Sequence, residues 1–258
     1  LTLAKANLAY FMKTLLAFSF LACTVLQSMG QDVTALLRKA EQASTQHAST
    51  MDMAITNVKP RYTKVINMRT WSIGNKHSLA VITSPKRDSG LTYMRAGDDL
   101  YMYSPRIDRV SKLPASMLMQ GWMGTDAQFD NVLGQSSFVD DFHHDYQGKV
   151  DVNGAPCHLI ACTPKDDVAV AHARVNVYVS VQHGGWVRMQ FFNRRDQVSQ
   201  QMDALRYGVM DGVLMPVEIG MTGKDGVQRT TMEVLQWRKR PDLTEAYFVP
   251  SRMTQLEP

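Results

Sequence analysis

Cysteine is scarce: the chain carries Cys23, Cys157 and Cys162 in 258 residues. That excludes a scaffold held by several disulfides. In C-H-L-I-A-C, Cys157 and Cys162 occupy one extended segment. At about 3.3 Å per residue they stand too far apart to bridge and point to opposite faces, so both are expected as free thiols. Runs of like charge are also missing. The chain has 28 basic and 24 acidic residues and a net charge of +4, with no Lys-rich or Arg-rich stretch. This argues against a nucleic-acid partner. There is no internal repeat or low-complexity tract, and with 45% hydrophobic and 20% charged residues the chain has material for a real core.

The signatures of catalysis and metal binding are lacking as well. D-D-F-H-H-D (Asp140 to Asp145) gathers carboxylates and imidazoles. Adjacent histidines rarely aim at one ion, however, and no Glu-x-x-His or His-x-x-x-His spacing supports the cluster. It reads as a solvated helix end. G-M-T-G-K-D lacks the glycine gap and the hydroxyl residue of a phosphate loop. No G-x-S-x-G elbow is present, and Ser136 and Ser137 have no base at a telling spacing, although His143 and His144 follow. Neither an enzyme nor a cofactor or metal is expected.

One long apolar run occurs, at the start. From Met12 the chain reads M-K-T-L-L-A-F-S-F-L-A-C-T-V-L-Q-S-M-G-Q-D, a positive beginning, a short apolar stretch and small residues at Ser28 and Gly30. This is the pattern of a secretory signal peptide over residues 1–30, with residues 1–11 an overextended start, and the run is too short to span a membrane. Phe20-Leu21-Ala22 is a poor lipobox for a lipidated Cys23. Residues 31–258 are expected as one exported domain.

What the sequence does have is methionine, 17 in all. The side chain is flexible and polarizable, which suits core filling and adaptable apolar surfaces alike. Three of them, Met117, Met119 and Met123, surround Trp122 in P-A-S-M-L-M-Q-G-W-M-G-T-D-A-Q-F-D-N-V-L (Pro114 to Leu133), a stretch without clean helix or strand period. Before it, Val33, Leu36, Leu37, Ala40 and Ala43 repeat at helical spacing behind a possible Asp32 cap. Elsewhere strand signals dominate: Ala54 to Ile73, His77 to Ser84, Leu91 to Ser104, Asp151 to Thr163, and two arms around His183-Gly184-Gly185. In those arms Val175, Val177, Val179 and Val181 share one face, and Val187, Met189 and Phe191 share another. Turns are marked at Ala96-Gly97-Asp98, Asn153-Gly154, Asp211-Gly212 and Lys224-Asp225-Gly226. The sum is one helix followed by a long antiparallel meander, interrupted between about Pro114 and Asp145. The apolar face of such a sheet needs a cover, which the helix and the interruption can supply.

A-G-D-D-L-Y-M-Y-S-P-R-I-D-R-V-S-K-L-P (Ala96 to Pro114), followed directly by A-S-M-L-M-Q-G-W-M-G-T-D (Ala115 to Asp126), resembles the LolA-like outer-membrane lipoprotein-sorting proteins. The late D-G-V-L-M-P-V-E-I (Asp211 to Ile219) and the closing A-Y-F-V-P-S-R-M extend the resemblance over most of the chain. It implies a mainly β protein with some α, a half-open antiparallel barrel covered by helices on its concave face. It also implies a monomeric periplasmic carrier of lipoprotein or lipid acyl chains, loaded by an inner-membrane transporter permease. The alternative is a sensor or scaffold that uses the same fold to bind a membrane-protein partner. Family members use an arginine to latch the lid; Lys86, Arg87 and Arg95 are the candidates here. The side chains expected to form the cavity and its lid are Trp71, Leu100, Met102, Met117, Met119, Trp122, Met123, Val177, Val179, Met189 and Phe191.

Overall fold

The computed structural model describes residues 33–42, 47–114, 116–117, 120–133, 137–166 and 172–258. The expected export segment, the Asp32 cap, Ala43, Met119 and Ser136 lie outside them. Helix α1 covers 33–42. Six strands follow: β1 (Ser49–Lys59), β2 (Tyr62–Ile73), β3 (His77–Ser84), β4 (Thr92–Ala96), β5 (Asp99–Ser104) and β6 (Arg109–Leu113). After an irregular stretch holding the short helix α2 (Phe129–Leu133), seven more appear: β7 (Phe142–Val152), β8 (Ala155–Pro164), β9 (Arg174–Ser180), β10 (Trp186–Phe192), β11 (Val198–Met210), β12 (Val213–Gly223) and β13 (Gln228–Lys239). A 3-10 turn (Glu245–Tyr247) and the single-turn helix α3 (Pro250–Met253) close the chain.

All 13 strands form one antiparallel sheet in the order β6-β5-β4-β3-β2-β1-β13-β12-β11-β10-β9-β8-β7. The first and last strands therefore lie side by side, and β6 and β7, consecutive in the chain, are the two open edges. The sheet curls without closing, and the segment between β6 and β7 must cross from edge to edge. It does so over the concave face, where Trp122, Phe129, Leu133 and Phe138 join α1's Leu37 and strand residues such as Ile55, Ile66, Val177 and Phe191 in one buried cluster. Alternation explains the strand contribution: Met53 and Ile55 of β1, Ile66 and Met68 of β2, and Val175, Val177 and Val179 of β9 are buried at every second position.

Three expectations change. The turn at Pro60-Arg61 divides Ala54 to Ile73 into β1 and β2, with Lys59 paired to Tyr62. Asp140 to Asp145 is no helix end but a turn running into β7, which begins at Phe142. In β10 a bulge at Val187 shifts the register, so that Trp186, not Val187, joins Met189 and Phe191 on the buried face opposite Val179. The other face of the sheet also has a cover. Leu243, Phe248 and Met253 of the C-terminal segment pack on Trp71, Leu79, Val81 and Met94. Cys157 and Cys162 are buried free thiols five residues apart on β8.

Because every pairing is antiparallel, the turns alternate between two ends. Turns 74–76, 97–98, 153–154, 181–185 and 211–212 lie at one end; turns 60–61, 85–91, 105–108, 193–197 and 224–227, with the connection between β8 and β9, lie at the other.

Candidate functional site

Between the concave face and its cover lies a cavity of about 190 Å³. α1 contributes Leu37, Ala40 and Glu41 to it, and the crossing segment contributes Asn131, Val132, Leu133, Ser137 and Phe138. The sheet side is rich in methionine: Met51 and Met53 of β1, Met189 of β10, Met202 of β11, Met215 of β12 and Met232 of β13 all line it, among residues such as Thr70, Val177, Trp186 and Ile219. Gly74 and Asn75, on the turn between β2 and β3, stand at its mouth, so the end of the sheet bearing turn 74–76 is the mouth end. The volume exceeds the roughly 150 Å³ void that accepts benzene in an engineered core. It falls short of the roughly 300–1,000 Å³ of ordinary ligand clefts.

The expected cavity residues separate into groups. Val177 and Met189 line the cavity. Leu100, Trp122, Val179 and Phe191 belong to the same concave core and are fully packed, with Met102, Met117 and Met123 against its margin. Met119 lies outside the described residues. Trp71 is the one on the wrong face: Thr70 and Ser72 point into the cavity, and Trp71 between them packs under Phe248 and Tyr247. Strand alternation makes that a consequence of a one-residue parity error. The methionines that line the cavity come from the strands rather than from the Pro114–Leu133 stretch.

Several polar ties hold the cover down. Arg95 of β4 donates to Asp130 of α2 across 3.5 Å and to the Gly97 carbonyl across 3.2 Å, with its side chain only 11% exposed. Lys86 and Arg87 are exposed on the turn 85–91; of the three latch candidates, Arg95 is the one that reaches the cover. Glu41 of α1 accepts from the Ser137 hydroxyl (3.1 Å), the Phe138 amide and the Val139 amide (3.2 Å). Burial pushes the Glu41 carboxyl up from its ordinary value, and these three donors partly offset the shift. A third tie explains the W-M-G-T-D motif. Met123 and Gly124 turn the chain back with φ of +50° and +78°, and the Thr125 hydroxyl donates to the Trp122 carbonyl. The Thr230 hydroxyl of β13 then donates to Asp126 Oδ2 (3.0 Å) and accepts from the Asp126 amide (2.9 Å) and from Asn57 Nδ2 (2.7 Å). This hub was invisible in the sequence because its members lie up to 173 positions apart.

Two of the residues weighed for nucleophilic chemistry, Ser137 and His144, have structural partners. Ser137 donates to Glu41, and His144 Nε2 is 2.6 Å from the Phe138 carbonyl. Among the described residues no group of three or more His, Cys, Asp or Glu side chains is placed to hold a metal.

An open antiparallel half-barrel with a helix-covered concave face and an apolar cavity beneath the cover is the LolA-like fold. Solved structures agree. A DUF1329 family protein from Desulfovibrio piger superposes with a TM-score of 0.77 at 19% identity, covering 87% of this chain and 98% of its own. A domain described as a candidate outer membrane lipoprotein-sorting protein from Vibrio parahaemolyticus gives 0.75 at 14%, covering 87% and 99%. A LolA superfamily protein from Nitrosomonas europaea gives 0.73 at 19%, covering 84% and 97%. The chain belongs to a family described as "-like: Uncharacterized protein", which matches residues 74–255. No curated protein is significantly similar to it in sequence.

Proposed function

We propose that the protein is a periplasmic carrier that takes the acyl chains of a lipoprotein or lipid into the concave cavity and passes them from the inner toward the outer membrane. The observation that carries this reading is the void itself, walled by six methionines that can repack around chains of different length. Affinity needs no directional bonds, since each buried methylene contributes about 0.8 kcal/mol. The Arg95–Asp130 and Glu41–Ser137 ties define the closed form, and loading by an inner-membrane permease breaks them while the lipid's tails replace the cover on the methionine wall. The carrier acts as a monomer and performs no catalysis. Among the described residues no helix is long and apolar enough to cross a membrane.

Native mass spectrometry of the gently purified protein, followed by titration with a fluorescent fatty acyl probe, tests the reading: acyl-bearing cargo and saturable uptake are expected. A second reading is favoured by how much of the concave face the chain fills itself, with Trp122 and Leu133 fully buried there. In it the fold is a scaffold for a membrane-protein partner, giving a stable complex in pull-down with no acyl uptake. A protein that stays empty and refuses the probe sinks the carrier and leaves the scaffold.

A further inference from the structure

The end of the sheet opposite the cavity mouth carries a feature unused by the carrier reading. Five of its connections present an exposed lysine or arginine: Arg61 on 60–61, Lys86 on 85–91, Arg106 on 105–108, Arg194 on 193–197 and Lys224 on 224–227; the β8–β9 connection at the same end holds a half-buried Lys165, which donates to the Asp140 carbonyl, and an exposed Asp166. Arg87, Arg109 and Arg195 add to them. Carboxylates are present on four of these turns, but they are used locally or by neighbours: Asp196 pairs with Arg174 (2.5 Å), Asp225 with Arg229 (2.6 Å), and Asp88 lies 3.9 Å from Lys64. No ion pair within 4 Å joins Arg61, Lys86, Arg106, Arg194 or Lys224 to a carboxylate among the described residues. The mouth end differs. Its turns 97–98, 153–154, 181–185 and 211–212 contain no lysine or arginine and only Lys76 stands on 74–76, although Arg238, Lys239 and Arg240, the last paired with Asp242 (2.6 Å), stand where β13 finishes at this end.

Apolar side chains are interleaved with the charges. Tyr62 is 60% exposed, Ile107 69% and Val227 48%, each on or beside a turn of the basic end. The tips belong to alternate hairpins of one curved sheet, so they form an arc that a flat surface touches all at once. Basic charge mixed with protruding apolar tips, on an arc rather than in a pocket, matches an anionic bilayer surface, where headgroup phosphates take the charges and the apolar tips enter the interface. The turn of the cover lies at the same end, since the Met123 carbonyl accepts from Lys64 Nζ.

We infer that this basic end is a docking surface for anionic phospholipid membranes. Docked this way, the protein presents the Met123–Gly124 turn of its cover to the lipid. The inference goes beyond the carrier reading and does not need it: a scaffold with a collapsed cavity would dock as well.

The test is partition of the full chain onto vesicles of phosphatidylcholine alone or with 30 mol% phosphatidylglycerol, the readout being the ratio of the two, so that apolar insertion common to both cancels. Preference for the anionic vesicles is expected at 0.1 M salt and its disappearance at 1 M, where the screening length falls from about 10 to about 3 Å. Neutralising two charges of one tip with Arg194→Gln and Arg195→Gln should lower the preference about 25-fold, roughly five-fold per charge. Ile107→Ser should weaken partition onto both vesicle types alike, while Lys76→Gln at the mouth end leaves the preference unchanged. Uptake of the acyl probe, measured on the same variants, is expected to be unaltered; this separates failure here from failure of the carrier reading. Equal partition onto both vesicle types overturns the inference. So does a preference that the tip substitutions leave intact, and so does binding to polyglutamate without any preference for anionic vesicles, which would assign the rim to an acidic protein.

Discussion

Replacing Ala40 by leucine asks whether the void is both real and used. Ala40 is 4% exposed on α1 and lines the cavity. Leucine is an equally comfortable helix residue, so the substitution acts through volume alone. It adds three carbons to the space an acyl chain would occupy. At about 0.8 kcal/mol per methylene, displacing three costs a ligand about 2.4 kcal/mol, which raises its Kd about 60-fold. The empty protein should respond in the opposite sense. Three methylenes that enter a pre-existing void bury apolar surface without strain and raise stability by up to the same amount, whereas in a solid core they would cost about 1–3 kcal/mol. Probe titration reads the first effect and urea unfolding the second. Unchanged affinity, or a protein destabilised by more than about 1 kcal/mol, would refute the reasoning.

Arg95→Ala removes the tie to Asp130, leaves a partly buried carboxylate short of a donor and should cost about 1–3 kcal/mol, with faster amide exchange across 129–133 and faster probe uptake. Thr230→Val keeps the shape and strand preference of its site but leaves Asn57 and Asp126 without their shared partner; a loss of about 2–3 kcal/mol by chemical unfolding is expected. His172, stacked on Phe191 at 4.7 Å, has its pKa pushed down to about 4 by burial. A depressed folded-state value means the stability it contributes is present above pH 6.5 and lost as pH falls through about 4, at most about 3 kcal/mol; His172→Gln should flatten stability between pH 7 and pH 4. Glu41→Ala strands the amides of Phe138 and Val139 and should loosen α1, read as increased proteolysis near residue 137.

Turn chemistry made most of the architecture readable. Asn153-Gly154, Asp211-Gly212 and Gly226 all adopt the positive φ that their residue types suggest. Val175, Val177 and Val179 declared their face by alternation. Pro60-Arg61 was missed because strand-forming residues (Val58, Tyr62, Thr63) lie close on both sides and no glycine marks the turn. The Val187 bulge and the parity of Trp71 were missed for a shared reason: register is decided by the partner strand, which a linear pattern does not contain. The basic rim was hidden too. Its charges are scattered one or two to a turn along the chain, and only antiparallel pairing collects them at one end.

The pairing of Ser49 with Lys239 has a consequence for how the chain is made. The seam at the centre of the sheet cannot zip until nearly the last strand has been synthesised, and contacts of such long sequence separation close slowly. Until β13 emerges, β1 has only β2 beside it and its other edge stays unpaired.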